Sequence, residues 1–311
     1  MEFFHRVTNF PFMSLRKIWY AISAVLVIGS LVSLAWRGLN YGVDFTGGIT
    51  VQATFPTTAN LDAIRTGLEG LGYKDAPVQN FGSSRNVSFR LPANDKVSSD
   101  QIRAQMTKLL QGIDAGAEVQ QIEVIGPQIG SELRTGAIES LFATLLLIFV
   151  YVAIRFHTWR LSLGAIFAAL HDPIIVLGFF SFTQITFDLT VVAATLAVIG
   201  YSLNDTIVVF DRIRERFHAA RRLPPQEVMD QSINQTLSRT VITSGATFLV
   251  VLMLFVFGGP VLLGFSTALM VGILVGTYSS IYIAGAAALD MGLKAEHLLP
   301  TAVKHPIDDL P

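Results

Sequence analysis

The sequence predicts a membrane all-α bundle of six transmembrane helices with one α+β domain, ferredoxin-like and ordered βαββαβ, inserted between helices 1 and 2. Three observations predict it. Hydrophobic residues make up 51% of the chain and charged residues only 14%, against about 25% charged in soluble domains, and mean hydropathy is +0.53. Apolar segments long enough to cross roughly 30 Å of hydrocarbon recur along the sequence. Between the first and second of them the chain turns polar, with short alternating segments punctuated by Gly, Pro, Ser and Asn.

The first span, 18–36, follows Arg16 and Lys17 in an N-terminal segment 1–17. A cleaved signal peptide is the competing reading. The run is too long for a signal core, and it ends at Arg37 and Gly38 without an A-x-A site, so an uncleaved signal anchor is expected. The polar domain occupies 37–135. Its pattern predicts strands at 49–55, 78–81, 87–91 and 118–125, helices at 61–71 and 99–110, and a hairpin loop over 82–86. Gly47 and Gly48 mark a tight turn into the first strand.

The remaining spans are expected at 136–156, 161–183, 188–210, 239–257 and 261–289, with a loop at 211–238 and a tail at 290–311. Gly164, Gly178, Gly200, Gly245, Gly272 and Gly276 fall within them, and such small residues let helices approach closely. Lys and Arg concentrate before span one, between spans two and three, and after span four: Arg6, Arg16, Lys17, Arg155, Arg160, Arg212, Arg214, Arg216, Arg221 and Arg222. The connections at 184–188 and 258–260 hold none. By the positive-inside rule both termini are cytoplasmic and the 37–135 domain is periplasmic, or at least extracytoplasmic.

A charged side chain at the bilayer centre costs about 2.5–3.5 kcal/mol on insertion scales, so those that persist face a bundle interior or water. His171 and Asp172 precede Pro173 near the middle of span three. Asn204, Asp205 and Thr206 lie within span four, and Arg239 opens span five on the same side. Antiparallel packing allows Asp205 to meet Arg239, with Tyr201, Ser202 and Thr206 helping to solvate the carboxylate. Two readings stay open: a pair that switches and carries protons, or a static ion pair that fixes helix register. For His171 and Asp172 the alternatives are a polar pathway or bonding to backbone freed by Pro173. The charged run 211–216 reads as a solvated helical extension.

Net charge of −1 gives no reason to expect nucleic acid as a partner, and the absence of cysteine excludes disulfides and thiolate metal sites. No phosphate loop, H-E-x-x-H pair or G-x-S-x-G elbow occurs. The chain is therefore expected not to be an enzyme and to hold no metal or cofactor, with protons as the coupling ion. Asp172 and Asp205 also admit a two-aspartate intramembrane protease, but the Tyr-Asp and Gly-x-Gly-Asp patterns of that class are missing.

Two segments carry a resemblance. They are Tyr41-Gly42-Val43-Asp44-Phe45-Thr46-Gly47-Gly48 at the entry to the outer domain, and 200–215 in span four with its Asn204-Asp205-Thr206 core. Together with His171-Asp172, Ser238-Arg239-Thr240, six spans and one large outer loop, they resemble the SecD/SecF family of protein-export membrane proteins, within the resistance-nodulation-division superfamily. The resemblance implies a bacterial inner-membrane protein that pairs with SecD beside the SecYEG channel, with YajC and YidC as further partners. It implies use of the proton motive force in late steps of preprotein export. Asp205 and Arg239 are the implied proton-path residues, and Asp44, Phe45, Gly47 and Gly48 the implied outer-domain motif. The alternative within the superfamily is a proton-driven exporter of another substrate, which usually has twelve spans and two outer loops in one chain.

Overall fold

The computed structural model describes residues 8–74, 76–92, 99–156, 158–220 and 222–298; Arg6, Arg221 and the tail beyond Leu298 lie outside the described residues. The chain forms α1 (Arg16–Arg37), the short α2 (Val43–Thr46), β1 (Gly48–Thr54), α3 (Leu61–Gly70), β2 (Val78–Phe81), β3 (Ser83–Leu91), α4 (Ser99–Ile113) and β4 (Glu118–Ile125). There follow α5 (Pro127–Arg155), α6 (Trp159–Thr183), α7 (Leu189–Ala219), α8 (Pro225–Phe257), α9 (Gly259–Ser279), a π-helical turn (Ser280–Ala284) and α10 (Gly285–Asp290). Among the described residues, six helical stretches are long and apolar enough to cross a membrane.

The domain between α1 and α5, called outer because it lies beyond the ends of the spanning helices, is built on one antiparallel sheet of order β2-β3-β1-β4. In β1, Ile49, Val51 and Ala53 are buried while Thr50, Gln52 and Thr54 point the other way, the period-two alternation of a half-buried strand. The buried face packs on α3 and α4 through Ile64, Leu68, Ile102, Met106 and Leu110. Asn60 caps α3, its side chain accepting from the Ala63 amide at 3.1 Å. The expected hairpin loop over 82–86 is shorter than its polar composition suggests. Gly82, at φ +66°, makes the turn, and Ser83 already belongs to β3 and pairs with Phe81.

Helix packing in the bundle is set by small residues. Along one face of α9, a Cβ on Gly264 would come within 2.9 Å of Val191, one on Gly276 within 2.9 Å of Ser202, and one on Gly272 would run into Val198. These three residues of α7 share one face, at i, i+7 and i+11. The best buried spans are α6 and α7, whose apolar windows are 61% and 50% enclosed, against 11% for the first span and 6% for α5. The first span and α5 thus present most of their surface outward.

The segment 211–238, expected as a loop after a helical extension over 211–216, is helical almost throughout: α7 continues to Ala219 and α8 begins at Pro225. Its polar composition conceals apolar residues four apart. Ile213 and Phe217 on α7, and Met229 and Ile233 on α8, are buried together with Phe12 and Met13. Asp230 accepts from the Met13 amide at 2.7 Å, and Asn234 accepts from the Phe10 amide at 2.9 Å while donating to its carbonyl at 2.8 Å. Asp211 pairs with Arg155 at 2.5 Å rather than within its own helix, and Arg212 pairs with Glu215 at 2.7 Å.

The polar face of the sheet lies over the outer ends of α6, α7 and α9, enclosing a cavity of about 370 Å³. Gln79 donates to Thr186 at 3.2 Å, and Arg90 bonds Asn40 at 2.6 Å and the Tyr41 carbonyl. Asp44, Glu123 and Asp188 also line this space. Burial, then the charges of Asp44 and Asp188, push the Glu123 carboxyl up. Burial also pushes Asp188 up, against hydrogen bonds from Thr190 and Val191.

Two outcomes follow from this packing. Gly276→Ala, forced against Ser202, is expected to cost about 1–3 kcal/mol as overpacking does, read as a lower thermal midpoint in detergent, whereas Gly200→Ala, with open space at its Cβ, leaves it unchanged. For the outer domain, carboxyls whose folded values are raised contribute stability that is full below the usual carboxylate range, roughly pH 4, and lost as pH rises through the raised values. Spin labels on cysteines introduced at exposed Arg85 and Trp36 of this cysteine-free chain should therefore give a broader distance distribution at about pH 8 than at about pH 5. Combining Glu123→Gln with Asp188→Asn should remove most of that difference.

Candidate functional site

A polar cluster joins four helices inside the bundle. Asp172, fully buried in α6, accepts from Ser202 of α7 at 2.5 Å and from Ser279 of α9 at 3.0 Å, and lies 3.0 Å from His171 Nδ1. Its partners are side chains of neighbouring helices rather than backbone freed by Pro173, and α6 runs without a break through that proline. Gly276 makes this possible, because any Cβ there would press on Ser202 and sit 3.4 Å from Asp172 Oδ2. His171 is also buried, with its ring centroid 5.7 Å from that of Tyr278. Its Nε2 has no hydrogen-bond partner among the described residues.

Asp205 lies one turn beyond Ser202 on α7 and is only 4% exposed. It accepts from Ser244 of α8 at 3.3 Å, and Ser244 in turn accepts from Thr277 of α9 at 2.8 Å and from Tyr201 at 3.3 Å. Thr206 donates to Ser280 at 2.9 Å, and Ser280 donates to the Ser202 carbonyl at 3.1 Å. Ser280 opens the π-helical turn, a departure from α geometry that frequently sits at functional sites.

The structure brings together Asp172, His171, Asp205 and Thr206, but not all the residues expected with them. Asn204 is exposed on the outside of the bundle. Arg239 is exposed too, and among the described residues no ion pair within 4 Å joins it to Asp205. Composition did not single out Ser244, Thr277, Ser279 and Ser280. Hydroxyl residues at helical spacing within apolar spans are the signal that could have found them, since a hydroxyl both donates and accepts and can solvate a carboxylate. A carboxylate in direct contact with an imidazole can share a proton with it. Among the described residues, no group of three His, Asp or Glu side chains is placed to hold a metal ion.

The outer motif forms a joint. Val43, Asp44 and Phe45 are buried on α2, with Phe45 stacked on Phe187. Gly47 and Gly48 take φ of +67° and +131°, the region where only glycine is unstrained. A Cβ on Gly47 would lie 2.7 Å from Pro127 Cα, and one on Gly130 2.7 Å from the Gly47 amide nitrogen. The start of α5 is thereby pressed against this turn. Asp44 accepts from the Leu189 amide at 2.8 Å, placing a carboxylate on the positive end of α7. The motif thus ties the outer domain to the starts of α5 and α7, the latter carrying Asp205.

Comparison with known proteins bears on both features. Residues 105–294 match the family described as protein export membrane protein SecD/SecF, C-terminal, and residues 32–58 match the SecD/SecF GG motif. The chain is 49% identical to a protein translocase subunit SecF of Vibrio alginolyticus, over 94% of this chain and 93% of that one. It is 45% identical to a subunit of the same name from Escherichia coli O157:H7, over 94% and 91%. The crystal structure of SecDF, a translocon-associated membrane protein from Thermus thermophilus, superposes with a TM-score of 0.82 at 37% identity, covering 91% of this chain but 39% of that longer one. A SecDF structure in a super-membrane-facing form matches at the same identity and coverage with a TM-score of 0.67. With its C-terminal half and its glycine motif both matched and its near-full-length relatives so similar, the chain belongs to the SecD/SecF family of protein-export membrane proteins.

Proposed function

We propose that the chain is the SecF-type half of an inner-membrane unit that uses proton movement to promote late steps of preprotein export. Asp205 carries the reading: a carboxylate enclosed in an apolar span, held by one 3.3 Å hydroxyl bond and in no ion pair with Arg239 among the described residues. Such a group is poised between charged and neutral forms, and a change in its distance from Arg239 shifts the balance. Moving one charge through the membrane potential supplies about 2.3 kcal/mol per 100 mV. Asp172 and His171 lie beside this group, Asp172 being held by Ser202 one turn before Asp205 on α7. Nothing in this proposal requires bond-making chemistry or a cofactor, so the chain acts as a coupling subunit and not as an enzyme.

The partner is a SecD-type protein, a reading supported by the long SecDF chain of which this one covers 39%. SecYEG, YajC, YidC and the translocating preprotein are the further partners proposed. The basic residues before α1, between α5 and α6, and in the last turns of α7 favour cytoplasmic termini and a periplasmic outer domain. The order β2-β3-β1-β4, with α3 and α4 on one face, supports a ferredoxin-like split βαβ domain there. The two SecDF forms match this chain at one identity but with TM-scores of 0.82 and 0.67. That difference supports a working cycle in which parts of the unit rearrange, with the Asp44 joint linking the outer domain to α7.

Asp205→Asn keeps size and hydrogen bonding while removing the titration. In inverted membrane vesicles it is expected to abolish the stimulation of preprotein export by a proton gradient, while a pull-down still recovers the SecD partner. Gradient-dependent export at the unsubstituted rate would overturn the proposal.

A further inference from the structure

Where α5 ends and α6 begins, a small cavity of about 40 Å³ opens between Arg155, Thr158, Arg214 and His297, floored by Phe156 and Leu161. Its positive charge is not neutralised from within. Arg155 is held by Asp211 through one Nη only, leaving its other nitrogens as donors. Arg214 is exposed and has no hydrogen-bond or ion-pair partner among the described residues. The acids nearby are already engaged: Asp211 with Arg155, and Glu296 with Lys294 at 3.9 Å and His297 at 3.7 Å. Thr158 is the N-cap of the 25-residue α6, and its hydroxyl, instead of capping that helix, donates to the His297 carbonyl at 2.9 Å. The first turn of α6 therefore aims its dipole at the same space without a side-chain cap.

We propose that this cavity binds the phosphate of an anionic phospholipid headgroup, held by Arg155 and Arg214 at the start of α6. A space of this size admits a few water-sized groups, enough for a phosphate. Its surroundings select a lipid over a soluble anion. Ile154 and Trp159 are 72% and 55% exposed on either side, apolar surface suited to acyl chains, and Arg160 lies over the Trp159 ring at 4.8 Å. Basic pockets between spans on the cytoplasmic side are where anionic headgroups are recognised. The proposal rests on the cytoplasmic placement of this end of α6 proposed above and does not depend on Asp205 or on export.

Native mass spectrometry of the detergent-solubilised full chain tests it, with dioleoylphosphatidylglycerol, dioleoylphosphatidylcholine and inorganic phosphate titrated separately. Phosphatidylglycerol should occupy its first site more tightly than phosphatidylcholine, and Arg214→Gln should weaken it roughly five-fold, as expected for one basic side chain at a membrane surface. Arg85→Gln, on the outer domain, should leave it unchanged. Equal affinity for the two lipids, or unaltered phosphatidylglycerol binding in Arg214→Gln, would overturn the proposal. So would inorganic phosphate displacing the lipid at comparable concentration, since the site would then belong to a soluble anion.

Discussion

Asp172 and Asp205 have to be solvated from inside the protein, because the bundle encloses both and, among the described residues, brings no lysine or arginine within ion-pair distance of either. Hydroxyls do that work, and they must arrive from three other helices at hydrogen-bonding distance. That requirement fixes how closely α9 approaches α6 and α7, and the closeness in turn requires glycine at 272 and 276. Ser279 and Ser280 reach opposite sides of the cluster, one Asp172 and the other Thr206. They do so where the helix passes into its π-helical turn, whose wider winding changes the direction of successive side chains. The polar cluster and the glycine face are therefore one feature: neither forms without the other.

How much of this could be read from the sequence depended on the range of the interaction. The strands and helices of the outer domain follow from local alternation, so β2 and β4 fall where their patterns place them, and β1 and β3 differ only at their ends. The exception at 82–86 arose because Ser83, Ser84, Arg85 and Asn86 have poor strand propensity, and pairing with β2 overrides it. Beyond the helical extension read at 211–216, the helical course of the segment to 238 was hidden because its apolar residues are sparse. Their partners, Phe12 and Met13, lie some two hundred residues away, a distance in sequence that no window spans. Asp205 stood out in one dimension because a charge in an apolar run is costly. The hydroxyls that solvate it did not, since Ser and Thr are unremarkable in spans until helix rotation decides which way they face. Arg239 was legible as a neighbour at similar depth, but depth does not fix azimuth, and its side chain emerges on the outer face of α8.

The joint at Asp44 gives the cluster a mechanical context. α7 is an unbroken helix of 31 residues, about 46 Å long at 1.5 Å per residue. Its first amide is held by Asp44 of the outer domain, its middle bears Ser202 and Asp205, and its last turns bury Ile213 and Phe217 beside α8 and the N-terminal segment. A helix of that length transmits axial displacement and rotation better than bending, since its backbone hydrogen bonds resist stretching along the axis. A rotation large enough to move Asp205 away from Ser244 would also carry Ser202 off Asp172, because the two lie three residues apart and belong to one rigid turn. Both carboxylates then lose a donor together. The Gly47–Gly48 turn, pinned against Pro127 and Gly130, gives that rotation a fixed point at the outer end.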